Sequence, residues 1–149
     1  MDYLKKTKDP RIHVYCSLKD GNTEFDKQFG LPNGYDSHTI ADAPSGSFVG
    51  LENTSNFNIN TILRLDAPTI FLMPSETKLL LAEAVLRNWT NGNAEVLYKE
   101  AITSSMKEQE IAYGTQGKIT DEEIETYLAQ NLFSTANNTE KLQIIGEQY

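Results

Sequence analysis

The groups in this sequence that could carry reaction chemistry are few. His13 and His38 do not form, with the single Cys16 or the nearby acids, the paired-ligand spacing that a zinc site needs. Ser45-Gly46-Ser47 lacks the strand-to-helix context of a nucleophile elbow. Asp121-Glu122-Glu123 is strongly acidic, but it opens a helical pattern, where acids are favoured by the helix dipole in any case. A glycosidase would need two carboxylates facing each other across a cleft of roughly 5 to 10 Å, a pairing that this pattern does not specify. No catalytic residue, metal ligand or cofactor is therefore expected, and the chain reads as one built to bind.

Composition narrows what it could bind. A formal charge of -8 over 149 residues disfavours nucleic acid, because phosphate neutralisation needs a basic face and Lys5, Lys6 and Lys8 are the only basic cluster. No apolar run approaches the roughly 20 residues that span a bilayer, so the chain is expected to be soluble. One cysteine excludes an internal disulfide, and Val14-Tyr15 before it lacks the small residue of a lipid-attachment site. The tripeptides starting at Asn53, Asn88 and Asn137 fit the glycosylation sequon, a pattern that recurs by chance.

The length suits one domain, or a piece of a larger one. Residues 1–74 read as mostly extended or looped, and 75–149 as helical. Met1 to Thr7 resembles the last turns of a helix, closed at Asp9-Pro10. Arg11 to Leu18 alternates Ile12, Val14 and Cys16 with His13, Tyr15 and Ser17, which predicts a short strand. Residues 19–60 are rich in Gly, Asn, Asp, Ser and Pro. Their turn signals at Asp20-Gly21, Pro32-Asn33-Gly34 and Pro44-Ser45-Gly46 predict an ordered but irregular segment. Phe25, Phe29, Tyr35, Phe48 and Phe57 would anchor it.

The second half changes character. Pro74-Ser75-Glu76 predicts a helix start with Ser75 as the cap, and Leu80, Leu81, Ala84 and Val85 on one face. Asn91-Gly92-Asn93 is a break, with Gly92 suited to the left-handed terminating position. Asn93 then caps a helix whose stripe is Ala94, Leu97, Tyr98, Ala101, Ile102 and Ser105. Thr120 with Glu123 forms a capping box for a third helix, and a fourth begins near Asn138.

Two helices joined by so short a break must pack antiparallel. Small Ala82, Ala94 and Ala101, alternating with large Leu81, Val85 and Tyr98, match the core of a tetratricopeptide unit. Lys78 and Met106 stand where that motif has its opening tryptophan and closing proline. The expected fold is therefore mainly α: tetratricopeptide-like α-α hairpins with a long irregular, loop-rich segment.

These segments together resemble the carboxyl-terminal half of the SusD-like (SusD/RagB) nutrient-binding lipoproteins. Asp9-Pro10-Arg11-Ile12 with Val14-Tyr15 is similar to a segment of that family, as is the turn Gly30-Leu31-Pro32-Asn33-Gly34. So are Leu80-Leu81-Ala82-Glu83-Ala84 with Arg87, then Gly92-Asn93-Ala94, Tyr98, Ile102 and Ser104-Ser105-Met106, and later Tyr127-Leu128 and Lys141 to Tyr149. The order matches along nearly the whole chain. The resemblance implies a fragment of a larger SusD-like domain from a protein several times longer. It also implies a non-catalytic role at the bacterial outer-membrane surface, with a SusC-like TonB-dependent transporter as partner and an oligosaccharide or a peptide as ligand. Membrane attachment would run only through a lipid anchor lying outside this chain. Sugars present apolar C–H faces that stack on aromatic rings, so loop aromatics Tyr35, Phe48 and Phe57 are the candidate ligand-binding residues; the competing reading makes them packing anchors. Trp89, at the helix-pair turn, is expected to be a local cap. The alternative function is a tetratricopeptide-type protein-interaction module with a groove lined by residues such as Lys78 and Asn88.

Overall fold

The computed structural model describes residues 1–148 except 37, 47 and 134; Ser47 and Tyr149, which figured in the motifs above, lie outside the described residues. Two compact units divide at residues 67 and 68.

In the first unit, α1 spans Asp2–Lys6. It is followed by a single helical turn, α2, at Ile12–Tyr15, where alternation had predicted a strand. The reason lies in Asp9. Its carboxylate accepts the Arg11 backbone N–H and the Arg11 Nε, each at 2.9 Å on Oδ1, while Oδ2 takes Nη2. Asp9 thereby caps a turn in which Ile12 N–H donates to its carbonyl, and Ile12 and Val14 both point into the interior. Extended backbone resumes only at β1, Cys16–Ser17, which pairs antiparallel with β2, Asn56–Phe57. The register sets Cys16 opposite Phe57 and Ser17 opposite Asn56.

The described residues of 19–60 are irregular apart from β2 and short 3₁₀ turns, and buried polar side chains hold part of the segment. Gln28, fully buried, donates through Nε2 to the Asn22 and Glu24 carbonyls and accepts from Ser55 Oγ through Oε1. Asn58 Nδ2 donates to the His13 carbonyl at 2.9 Å, and Thr61 Oγ1 donates to the Val14 carbonyl. A loop with few backbone partners of its own satisfies buried groups in this way.

The second unit is helical. Helix α3 covers Pro74–Leu86 and α4 covers Ala94–Tyr113. Ser75 meets Glu108 near one end of the pair, and Val85 meets Gly92 at the other, so the two helices run antiparallel. The small residues allow the close approach: Ala82 and Ala101 have no exposed surface, and Tyr98, Ile102 and Met106 of α4 are buried as well. The buried stripe of α3 is Ser75, Leu79 and Ala82, one position out of phase with the expected Leu80–Leu81 face; both of those leucines are largely exposed.

The ends of the helices correct two other expectations. Ser75 is not the cap of α3. The N-cap is Met73 with Pro74 in the first turn, and the Ser75 N–H and hydroxyl both donate to Glu108 of α4. At the far end, Asn88 rather than Gly92 takes the left-handed position, with φ 59°. Trp89 N–H then donates to the Ala84 carbonyl and Asn88 N–H to Val85, the paired bonds of a Schellman termination. Asn93 caps α4 as predicted, accepting from Glu95 and Val96 N–H.

A 3₁₀ turn at Gly114–Gly117 folds back on α4. Gly117 is obligatory there, since a Cβ would lie 2.1 Å from the Gln109 carbonyl oxygen. Helices α5, Asp121–Gln130, and α6, Asn138–Gly146, each open with a capping box, Thr120 with Glu123 and Asn137 with Glu140. Helix α5 packs on α4 and α6 on α3. The Tyr98 ring stacks on Phe133 at 4.5 Å, and Gln148 Nε2 donates to the Tyr127 hydroxyl. Among the described residues the fold is mainly α, with six α-helices and one two-residue strand pair.

Candidate functional site

Three aromatic positions in the first unit carry the expectation of ligand contact, and the structure treats them differently. Phe57 lies in β2 with 64 % of its surface exposed, held by the pairing of its backbone with Cys16. Tyr35 and Phe48 are half-buried in separate turns of the irregular segment. No ring stacking joins the three among the described residues. Tyr35 precedes a turn organised by Asp36, whose Oδ1 accepts His38 N–H at 2.8 Å and Thr39 N–H at 2.9 Å. Those bonds hold the Asp36 carboxyl below the usual carboxylate range.

Sequence reading missed a cation–aromatic cluster in the same unit. Lys5 Nζ lies 4.4 Å from the Phe29 ring centroid and 5.7 Å from that of Phe25, and donates to the Gln28 carbonyl at 2.8 Å. Lysine on α1 and two phenylalanines twenty or more residues away share no local pattern, so only the tertiary structure joins them. Cys16, half-buried, has its thiol pushed up by burial, which disfavours the reactive thiolate.

In the second unit, a groove of about 450 Å³ follows α3 and α4, lined by Pro74, Lys78, Lys99, Thr103, Lys107 and Ile111. Lys78 lies where a protein-binding groove was expected; Asn88 is instead the exposed left-handed residue ending the α3 turn. Trp89 acts at the turn through its main chain. Its backbone N–H closes α3, while the residue as a whole is 74 % exposed. No group of three or more His, Cys, Asp or Glu able to hold a metal occurs among the described residues, and no helix among them is long and apolar enough to cross a membrane.

Fold and surface together define a mainly helical protein with tetratricopeptide-like helix packing in one unit and a long irregular segment with exposed aromatics in the other. The chain belongs to the SusD-like family, described as "Starch-binding associating with outer membrane", which it matches over residues 1–149. A SusD homologue from Bacteroides fragilis NCTC 9343 superposes with TM-score 0.78 at 23 % identity, covering 99 % of this chain and 34 % of that one. A second SusD homologue from the same organism gives 0.71 at 24 % identity, over 97 % of this chain and 33 % of the other. A chitin-binding protein gives 0.67 at 22 % identity, over 97 % and 31 %. The chain thus spans about a third of the length of the solved structures it matches. No curated protein is significantly similar to it.

Proposed function

We propose that this chain is part of a larger SusD-like domain, in a non-catalytic protein that binds nutrient oligosaccharide at the outer-membrane surface and delivers it to a TonB-dependent transporter. The observation that carries the reading is the family match, which runs unbroken over residues 1–149 of a family described by starch binding and outer-membrane association. The residues are compatible with it. Of the three candidate aromatics, Phe57 is the most exposed and so the most open to stacking on a sugar, with Tyr35 and Phe48 half-buried. Phe57 sits in backbone held by its strand pairing and by the adjacent buried Asn58, and a pre-formed segment loses little freedom on binding.

Calorimetric titration with maltoheptaose and chitohexaose tests the proposal. Binding of either, weakened in Phe57→Ala, is the expected result. Absence of binding to both, together with tight binding to a protein other than a transporter, would overturn it. A second reading, a protein-interaction module of tetratricopeptide type, is favoured by the α3–α4 groove, where Lys78 and the 85 % exposed Ile111 are available to a polypeptide. Affinity purification from the native membrane separates the two readings by whether the retained protein is a transporter.

A further inference from the structure

We propose that the turn joining α3 to α4 is a second saccharide-stacking site, with the Trp89 indole as its platform; the inference rests on the glycan-binding reading above. Trp89 is the only tryptophan in the chain. At the residue following a left-handed helix terminus, an apolar side chain ordinarily packs back onto the last turn of the helix. Here the backbone makes the terminating hydrogen bond while the residue stays 74 % exposed, so the indole contributes little to closing the helix.

Its surroundings have the chemistry of sugar recognition. The Arg87 guanidinium lies 5.4 Å from the indole centroid, and Glu83 fixes it through a 2.7 Å bond from Nε to Oε1. That ion pair leaves the site without net charge, which suits a neutral saccharide. The Thr90 hydroxyl and Asn91 amide, the next two residues along the turn, make no hydrogen bond among the described residues, and with Val85 and Leu97 they line an apolar groove of about 360 Å³. Such a volume lies at the small end of the range for ligand pockets. An exposed indole with its fixed guanidinium, and hydrogen-bonding groups of both kinds at the two following residues, therefore belong to one turn. The turn is rigid: Asn88 is locked in the left-handed region by two backbone bonds on one side, and Asn93 caps α4 on the other. A pre-ordered platform keeps the entropy cost of binding low.

Because no other tryptophan is present, its emission reports on this site alone. The 149-residue chain is titrated with maltoheptaose and with chitohexaose, following tryptophan fluorescence and heat together. The expected result is a saturable emission change with at least one sugar. Trp89→Ala should weaken binding roughly tenfold or more, Trp89→Phe should weaken it less, and Asn91→Ala should weaken it with the helical circular dichroism unchanged. Binding seen as heat but with static emission, and equal affinity in Trp89→Ala, would refute the Trp89 site and leave the broader glycan reading standing. No heat and no emission change with either sugar would defeat both.

Discussion

Glu108 is a carboxylate with 6 % of its surface exposed and three neutral donors around it: the Ser75 N–H at 3.0 Å, the Ser75 hydroxyl at 2.6 Å and the Ser104 hydroxyl at 3.0 Å. It supplies from α4 the anion that the positive end of α3 favours, so the two helices share one terminus. Ser75→Ala removes the hydroxyl donor and should destabilise the chain by about 1–3 kcal/mol, read as a lower urea midpoint. Glu108→Gln, which keeps an acceptor in place, should cost less than Glu108→Ala; equal losses would contradict the shared cap. None of this was legible locally. A serine after a proline carries the signature of an N-cap, and only the packing of a residue 33 positions away changes its role. Asp36 was similarly silent in sequence. Its carboxyl is lowered by bonds from Thr39 and His38, so the turn gains stability above the unfolded carboxylate value of about 3.9 and loses it as pH falls through the lower folded one. Amide exchange at His38 and Thr39 should therefore show little change from about pH 7 to 5 beyond the intrinsic trend, and lose protection only in stronger acid. Loss of protection already between pH 7 and 5 would contradict this role for the Asp36 carboxylate.

Among elements, the helices were legible and the segment before them was not. Capping boxes at Thr120 and Asn137 and the Asn93 cap place three helix starts where local pattern puts them. Alanine spacing anticipated the α3–α4 seam, because a close axis approach needs small residues wherever the helices touch. The phase of α3 was misread: four apolar residues from Leu79 to Ala82 satisfy more than one helical face, and the partner helix decides which is buried. The strand expected at Arg11 to Leu18 failed for a different reason, since the Asp9 bonds to Arg11 outweigh a weak alternation. Ala82→Leu or Ala101→Leu, both at sites with no exposed surface, should each overpack the seam and lower stability by about 1–3 kcal/mol. Unchanged melting temperatures in both would mean that the axes are not as close as the buried alanines require.

At the scale of the molecule, the two units differ in what holds them. Among the described residues of Met1–Ala67, only Ile12 and Val14 are fully buried apolar side chains, against seven buried polar ones: Asp9, Arg11, Ser17, Gln28, Thr54, Asn58 and Thr61. Two such apolar side chains contribute about 3–6 kcal/mol. Each backbone residue costs about 1–2 kcal/mol to order, and each hydrogen bond returns only about 1 kcal/mol net. Pro68–Tyr149 buries a continuous set running through Leu79, Ala82, Tyr98, Ile102, Met106, Ile124, Tyr127, Phe133 and Ile145. The second unit should therefore fold when expressed as 68–149, with helical circular dichroism and a cooperative melt, whereas 1–67 alone should show neither a cooperative transition nor dispersed amide resonances. The same asymmetry explains why composition favoured an ordered loop without revealing its order. Gln28, Asn58 and Thr61 are residue types common in solvated loops, and nothing local marks them as buried. A cooperative melt of 1–67 by itself would show that its polar network is worth far more than these magnitudes allow.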